Sequence, residues 1–396
     1  MLIKNISALL GDELNFVSNT NIQIQNDNFK RIQSNIKPSG KEESIDCEGL
    51  LVIPGFINAH THIGDSIGKD VTLNSSVDKR IHPVFGAKSK ILKNTSPDNL
   101  ASFMKNSCYS MMRKGITTFV DFREGGIDGV ILLKKILSDI PLRSIILGRI
   151  EFYQGTHEIR KNISFPREKT NILAELLKKC DGLGISGANE NSTSVLNHYS
   201  KTTKLRAIHS SETKQSISKS KKDTGKSETI RALSLKPHFL IHMTHASKSD
   251  LHFAAKKIRG IVICPRANSS LAEGIPDIEL MQKAGCTLAL GTDNVMINSP
   301  DMFREMDFLW KVTMGIHKKR IDPKEILKMA TVNGGKILKK NIGVLGTGKI
   351  ADCIFLDKHA LDLEPMHDPH ASIVHRASES TIKAVMIGGK IVYGKI

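Results

Sequence analysis

The sequence lacks the features that mark membrane proteins and disulfide-rich secreted proteins. Its longest apolar stretches have the length of one β-strand, whereas a membrane-spanning helix needs about 20 apolar residues. The segment at the start, MLIKNISALLGDELNF, contains neither a long apolar stretch nor a small-residue cleavage site, so we expect no signal peptide. The six cysteines lie far apart and include no C-x-x-C pair. We therefore expect reduced thiols, a cytoplasmic location and no membrane partner.

Aromatic residues are also scarce, and this scarcity affects how the strong positive charge is interpreted. Only 5% of the residues are aromatic, and 57 Lys and Arg against 40 Asp and Glu give a net charge of +17. Such a charge can indicate a nucleic-acid partner. However, the basic residues are spread along the chain, and their densest run, 214–226, contains no aromatic residue on which a base could stack. We therefore interpret the charge as a lysine-rich solvated surface and expect no nucleic-acid partner.

The middle of the chain has the alternation typical of an α/β protein. Short, near-continuous apolar runs alternate with helical stretches, and such runs are typical of parallel strands buried on both faces. A polar residue before a proline marks three helix starts, at Ser96, Ser299 and Asp322. Eight strand–helix units predict a (β/α)8 TIM barrel. The eight apolar runs are 52–62, 115–122, 143–150, 182–189, 204–211, 238–245, 260–268 and 286–294.

The two ends of the chain are similar to each other and differ from this middle. Residues 1–55 and 344–396 contain short alternating segments punctuated by glycine, which predict β-strands. We expect these segments to pair as one small β-sandwich domain, although the barrel separates them in the sequence. The predicted organisation is therefore a composite β-domain, 1–55 and 344–396, and a barrel, 56–343.

Ligand-type residues stand near the ends of four of the eight runs, and the active sites of such barrels lie at the carboxyl ends of the strands. His60 and His62 are two positions apart, so both side chains point to one face of a strand. His209, His242 and Asp293 stand near the ends of the fifth, sixth and eighth runs. Each histidine alone would more often be structural, but their coincidence predicts a metal site. Imidazole and carboxylate ligands favour a divalent transition ion, Zn²⁺ first and Fe²⁺ second.

The motifs around these residues resemble those of the amidohydrolase superfamily. PGFINAHTH, HSSE and LGTDN match its first-, fifth- and eighth-strand signatures, and GTGKIADCIFLD and VMIGGKIVYG resemble its flanking domain. The chain is most similar to the branch of cyclic amidine deaminases and chlorohydrolases, which places a glutamate three residues after the fifth-strand histidine, here Glu212. The resemblance implies a metal-dependent hydrolase of a C–N bond. The metal-site residues that it implies are His60, His62, His209, His242 and Asp293.

The same resemblance implies a mechanism that uses a metal-activated water. Asp293 takes the proton of this water, and Glu212 makes the second proton transfer. His245 is assigned as a catalytic donor on the substrate side, but whether His242 or His245 lies nearer the metal stays open. Binuclear relatives bridge their metals with a carboxylated lysine at the end of the fourth strand, and the run 182–189 contains no lysine. We therefore expect one metal ion per chain.

Three functions are compatible with this assignment. The first is deamination of a purine- or pyrimidine-like heterocycle, and the second is ring-opening or linear amide hydrolysis, as in imidazolone-type relatives. The third is a non-catalytic scaffold of the same fold, which ranks last because every ligand is present. The residues after H-T-H, 63–70, depart from the deaminase pattern, so the substrate stays open. We expect a small-molecule substrate, and a homo-oligomer because relatives often self-associate.

Overall fold

Two sheets and sixteen α-helices form the described part of this computed structural model, which comprises residues 1–36, 40 and 42–396. The amino-terminal strands are β1 (Leu2–Leu10), β2 (Asn15–Gln25), β3 (Asn28–Gln33), β4 (Ser44–Asp46) and β5 (Leu50–Pro54). The central strands are β6 (Phe56–His62), β7 (Ile116–Arg123), β8 (Arg143–Gly148), β9 (Gly182–Ile185), β10 (Leu205–Ser210), β11 (Phe239–His242), β12 (Gly260–Ile263), β13 (Leu288–Leu290) and β14 (Asp293–Asn294). The carboxy-terminal strands are β15 (Cys353–Asp357), β16 (Ile382–Ile387) and β17 (Lys390–Gly394). The helices are α1 (Val77–Ile81), α2 (Ala87–Asn94), α3 (Pro97–Arg113), α4 (Gly126–Leu137), α5 (Thr156–Arg160), α6 (Thr170–Lys179), α7 (Thr193–Tyr199), α8 (Lys214–Thr224), α9 (Glu228–Ala232), α10 (Lys248–Ala255), α11 (Pro265–Ser270), α12 (Ile278–Lys283), α13 (Met302–His317), α14 (Pro323–Ala330), α15 (Val332–Leu338) and α16 (Pro369–His375).

Strands β6 to β14 form one parallel sheet that curls round on itself. Its strands pair in chain order from β6 to β13, and the run that forms β13 continues as β14, which pairs with β6. This eighth run therefore contacts both edges of the sheet. All eight predicted runs contribute strands here, which confirms the α/β class. The first run was predicted too long, because its residues up to Pro54 belong to the other sheet and β6 begins only at Phe56.

Alternate strand positions separate the inside of the curled sheet from its outside. Phe122 of β7, Ala207 of β10 and Phe239 of β11 belong to one buried interior cluster. Phe119 and Ile208 belong to a second cluster that includes residues of the surrounding helices. Polar side chains at the carboxyl ends of these strands therefore lie above an apolar floor.

The two ends of the chain pair in the second sheet. Its order is β17-β16-β15-β5-β1-β2-β3, with β4 on β1, and the antiparallel pair of β5 with β15 joins the two ends. Val52 packs into a cluster within this sheet, whereas Leu51 and Ile53 pack into the cluster that includes the helices. The two-layer sandwich and the domain boundaries stay predictions.

The helix starts agree with the sequence pattern in two of three cases. Ser96 caps α3 and Asp322 caps α14, each through a side-chain oxygen that accepts a backbone N–H. The third prediction is wrong, because Asp301 rather than Ser299 caps α13 in this way.

Among the described residues, no helix is both long enough and apolar enough to cross a membrane.

Candidate active site with a metal-ligand cluster

The five residues predicted to bind a metal meet at the carboxyl end of the curled sheet. His60 and His62 end β6, His209 lies near the end of β10, His242 ends β11 and Asp293 begins β14. His209 Nε2 lies 3.2 Å from His60 Nε2 and 3.4 Å from His62 Nε2. Asp293 Oδ1 lies 3.3 Å from His60 Nε2. Ligand atoms of His60, His242 and Asp293 also lie within 4.8 Å of one another.

A local irregularity of β6 turns its histidines to the inside. Ile57 and Ala59 already belong to the interior cluster, so strict alternation would point His60 outwards. The pairing of β6 with β7 shifts within residues 58–61, as in a β-bulge, where an extra residue re-aims the side chains that follow. His60 therefore packs edge-on against the interior ring of Phe122, with 4.4 Å between the ring centroids.

The hydrogen bonds of the ring nitrogens show that a cation fits between the histidines. His62 Nδ1 donates to Glu124 Oε1 at 2.7 Å, and His209 Nδ1 donates to the Ile185 carbonyl at 2.9 Å. A carbonyl and an ionised carboxylate only accept, so each Nδ1 carries the ring hydrogen and each Nε2 exposes a lone pair. These two lone pairs face each other, which is repulsive by itself and favourable around a divalent cation.

The charges of the cluster fit the same ion. Neither oxygen of the buried Asp293 carboxylate has a hydrogen-bond partner in the part of the chain that the structure describes. Burial opposes its ionisation, but contact with His60 and the other histidines keeps the pKa of Asp293 below its ordinary value. Burial lowers the pKa of His60 to about 3 and holds the pKa of His209 well below its ordinary value. Neutral imidazoles beside an anionic carboxylate are a donor set that binds Zn²⁺.

Strained backbone conformations hold two members of the cluster. The φ angle is 68° at His242 and 60° at Asp293, in the left-handed region that residues with a side chain adopt rarely. Ser211 and Met243, beside the cluster, share this conformation, with φ of 52° and 55°. Such strain costs on the order of 1–3 kcal/mol per residue and is concentrated at functional sites. The backbone at these strand ends is therefore shaped for the site rather than for regular pairing.

Glu212 lies on the pocket side of the cluster. Its Oε2 lies 3.6 Å from His242 Nε2, and its buried Oε1 has no hydrogen-bond partner among the residues described. Burial is the main cause that raises the pKa of Glu212 to about 7, against the opposing effect of His242. A carboxyl group with this pKa can give and take a proton near neutral pH. Thr213 rather than Glu212 caps α8, so the Glu212 side chain is not needed to begin that helix.

The two candidate histidines after β11 have different surroundings. His242 Nε2 faces Glu212, and its Nδ1 accepts from Asn268 Nδ2 at 3.4 Å. His245 Nε2 donates to the Glu273 carbonyl at 2.6 Å, and His245 is not among the described residues that line the pocket. The structure thus brings His242 to the cluster and leaves His245 outside it. A catalytic role of His245 stays a prediction.

Glu124, which follows β7, contacts one of the residues predicted to bind the metal. Its Oε1 accepts from His62 Nδ1 and lies 2.7 Å from Lys88 Nζ, while its Oε2 lies 3.0 Å from Arg123 Nη2. Arg149 Nη2 lies 3.4 Å from the same Oε1, and all five side chains are buried. Burial opposes ionisation, but Lys88 and His62 hold the pKa of Glu124 well below its ordinary value. Glu124 therefore fixes the ring of His62. In the sequence, the position of Glu124 just after the second apolar run was the signal that could have identified it as a site residue. No sequence signal pointed to Lys88, which lies on α2.

A pocket opens above the cluster. The metal-ligand cluster and Glu212 form its floor, while Asp78, Glu190 and Glu228 add carboxylates to its wall and Arg149 adds a cation. Burial, reinforced by the charge of Glu228, raises the pKa of Glu190 to about 7. The pocket is therefore polar and carries several groups able to hydrogen-bond a small polar molecule.

Known proteins match the chain over nearly its whole length. Residues 51–392 match the model of the Amidohydrolase family. The chain is 36% identical over 400 residues to a putative aminohydrolase of Methanothermobacter thermautotrophicus, a match that covers 99% of both chains. It is 30% identical over 417 residues to a 5-methylthioadenosine/S-adenosylhomocysteine deaminase of Thermoanaerobacter pseudethanolicus, covering 99% of this chain and 93% of the relative.

Solved structures share the fold at low sequence identity. The atrazine chlorohydrolase TrzN of Arthrobacter aurescens, complexed with zinc, superposes with a TM-score of 0.84 at 16% identity, covering 99% of this chain and 95% of that one. Guanine deaminase from C. acetobutylicum superposes with a TM-score of 0.83 at 16% identity, covering 99% of both chains. These likenesses concern the fold, whereas the family match spans most of the sequence. We conclude that the chain belongs to the amidohydrolase family, hydrolases that act on C–N bonds.

Proposed function

We propose that the protein deaminates a purine- or pyrimidine-like heterocycle with one bound divalent ion, Zn²⁺ first and Fe²⁺ as the alternative. One observation carries the proposal: Glu212, a carboxyl group suited to moving protons, lies 3.6 Å from His242 of the metal-ligand cluster, on the pocket floor. The relatives named for deamination of 5-methylthioadenosine, S-adenosylhomocysteine and guanine support a purine-like substrate.

Four residues are proposed to hold the ion. His60, His62 and His209 present their Nε2 atoms and Asp293 presents its carboxylate, while His242 lies beside them. A bound divalent ion would supply Lewis acidity, which lowers the pKa of a water molecule towards neutrality. Glu124 keeps the hydrogen of His62 on Nδ1, so that Nε2 stays available as a ligand atom.

Asp293 and Glu212, the two carboxylates on the pocket floor, carry out different proton transfers. Asp293, anionic in its buried place, accepts the proton that the attacking water loses. Glu212, with a pKa near 7, delivers a proton to the ring nitrogen or the leaving amine. His242 carries its hydrogen on Nε2, because its Nδ1 accepts from Asn268, and it directs this hydrogen at Glu212. The oxygen of the water bonds to the ring carbon and the C–N bond breaks, so these groups have only to move the protons with which ammonia leaves.

The reaction class is tested by the product. Metal-loaded protein is incubated with adenosine, 5-methylthioadenosine, S-adenosylhomocysteine, guanine and cytosine, and separately with cyclic and linear amides. We expect ammonia release from an amino-substituted ring, because the proposed proton transfers remove an amine without opening the ring. A new carboxylate from an amide would instead favour the ring-opening or linear amide hydrolase. If metal-loaded protein yields neither ammonia nor a new carboxylate, the result would favour the non-catalytic scaffold.

Metal content tests the ligand assignment. Protein purified without chelator should hold about one equivalent of Zn²⁺ or Fe²⁺ per chain, because β9 offers no lysine to bridge a second dication and two close dications repel. His60→Ala combined with His62→Ala should reduce the metal to background while circular dichroism still shows the fold. His252→Ala, an exposed histidine of α10, is the matched control and should keep its metal. Two tightly held equivalents, or full occupancy in the double variant, would contradict the assignment.

Turnover of a Glu212 variant tests the proton transfer. Glu212→Gln keeps the size of the side chain but cannot supply a carboxyl proton, so kcat should fall roughly 10²-fold or more while the metal content stays unchanged. Steady-state kinetics and metal analysis of the same preparation measure the two effects separately. An unchanged kcat would remove Glu212 from the mechanism.

A Glu124 variant tests the support of His62. Glu124→Gln removes the charge that orients the imidazole, and metal affinity should fall by about 10- to 100-fold, as is typical when a carboxylate behind a ligating histidine is lost. Competition with a chelator measures this affinity without reference to activity. Glu151→Gln, an exposed glutamate that follows the next barrel strand, is the matched control and should retain wild-type affinity. Equal affinities in the two variants would show that Glu124 serves only as an ion-pair partner.

A further inference from the structure

A second cavity lies at the opposite end of the curled sheet from the active-site pocket. It has a volume of about 630 Å³, within the range of small-molecule sites. Its lining comes from the amino-terminal halves of strands, with Thr118 of β7, Arg143 of β8 and Leu205 of β10 among them, and from residues 338–342, which begin at the last residue of α15. Because all these strands are parallel, their beginnings face away from the metal-ligand cluster. Nothing in the proposed reaction uses this cavity.

The cavity carries positive charge that the protein does not neutralise. Within the described ranges, Lys204, Lys339 and Lys340 form no ion pair, and the Lys204 ammonium donates only to backbone carbonyls. Arg143 differs, since its guanidinium is held by Asp352, with 2.7 Å between Nε and Oδ2. Unpaired ammonium groups around one cavity favour binding of an anion.

The carboxylate that lines the cavity does not neutralise this positive charge. Asp181 is the carboxylate in its lining, and Asp181 Oδ2 accepts the backbone N–H of Ile146 at 2.8 Å. Three lysines without an ion-pair partner therefore line a cavity whose described lining has one carboxylate, which accepts a backbone N–H. A phosphate group, with more than one negative charge, would balance the excess.

Two arginines extend the basic region beside the cavity, and a histidine lies between them at the beginnings of three neighbouring strands. The His238 N–H donates to the Arg206 carbonyl and the Arg259 N–H donates to the His238 carbonyl, each at 2.7 Å, so the three residues are adjacent. The Arg259 guanidinium donates to the Ile337 carbonyl at 3.4 Å, close to Lys339. Burial, with the charges of both arginines, lowers the pKa of His238 to about 4. Neither arginine has a carboxylate partner among the residues of the described chain.

The rest of the lining is suited to the organic part of a ligand rather than to an inorganic ion. One wall is apolar and includes Ile145, Leu205, Leu338 and Ile342. Thr118 is 1% exposed and its hydroxyl has no hydrogen-bond partner in the described structure, so it is a buried polar group that a ligand would satisfy. The described lining contains no aromatic ring, which separates this site from the stacking surfaces that bind nucleic-acid bases.

We propose that this cavity binds a small organic phosphate, independently of the active site. Its phosphate lies among Lys204, Lys339 and Lys340, and its organic body lies against the apolar wall, within reach of the Thr118 hydroxyl. Because Lys339 and Lys340 are exposed at the cavity rim, a charged ligand can enter from solvent.

Isothermal titration calorimetry with uridine diphosphate and inorganic pyrophosphate tests the site. Uracil has no amino group, so this nucleotide cannot be a deamination substrate. Uridine diphosphate should bind wild-type protein, and Lys339→Glu with Lys340→Glu should weaken the binding at least about tenfold, because each ammonium–phosphate contact is a charge-assisted hydrogen bond. Lys221→Glu with Lys222→Glu, an exposed pair on α8, makes the same change in net charge and should leave the affinity within roughly twofold.

Further measurements keep the site distinct from general charge and from the active site. Thr118→Val changes no charge and should also weaken the nucleotide, by roughly threefold or more. Metal content and deaminase turnover should be unchanged in the Lys339/Lys340 variant. Absence of binding in about 0.1 M salt, or equal losses in the two lysine-pair variants, would overturn the site. Equal affinities for pyrophosphate and uridine diphosphate would overturn the assignment of the apolar wall.

Discussion

The structure depends above all on two imidazole lone pairs, those of His62 and His209, which face each other with 3.4 Å between the Nε2 atoms. A protein without a cation there would have to tolerate this repulsion, so the surroundings are built to keep the lone pairs in place. The Ile185 carbonyl and the Glu124 carboxylate each fix a hydrogen on the far nitrogen of a ring. The left-handed backbone at His242 and Asp293 brings two further members into range. The left-handed backbone raises the free energy of the isolated chain, whereas the hydrogen bonds hold the rings in place, and together they describe a site organised around a metal ion.

The buried charges around Glu124 connect the metal-ligand cluster to the segment between β6 and α3, which contributes Asp78 and Lys88 to the pocket lining. Burying one ionised carboxylate is unfavourable unless it is paired, and Glu124 lies next to Lys88, Arg123 and Arg149. Lys88 belongs to α2, which follows the segment after the H-T-H motif, whereas Arg149 follows the next barrel strand. One carboxylate thus links the orientation of a metal ligand to the position of the pocket wall. A related enzyme with a different pocket wall would still have to pair this carboxylate, because the same carboxylate orients His62.

The parallel arrangement of strands separates two chemically different ends. At the carboxyl end, a pocket with several carboxylates lies within a chain whose net charge is +17. At the amino end, three lysines without an ion-pair partner among the described residues line the second cavity, namely Lys204, Lys339 and Lys340. The apolar interior cluster lies between the two ends, so they do not share side chains. The sequence-based interpretation of the net charge, a lysine-rich solvated surface, stays a prediction.

The sequence by itself determined the strands and the residues that meet at their ends. Apolar runs and ligand-type residues such as His209 and Asp293 are local features, and parallel strands that end at one edge must bring such residues together. Only the tertiary structure decided how they meet. The bulge in β6 depends on pairing with β7, and it reverses the face that simple alternation assigns to His60. His245 turns to the Glu273 carbonyl, and Lys88 reaches Glu124 from a distant helix, because these contacts join segments whose distance in space no local pattern encodes.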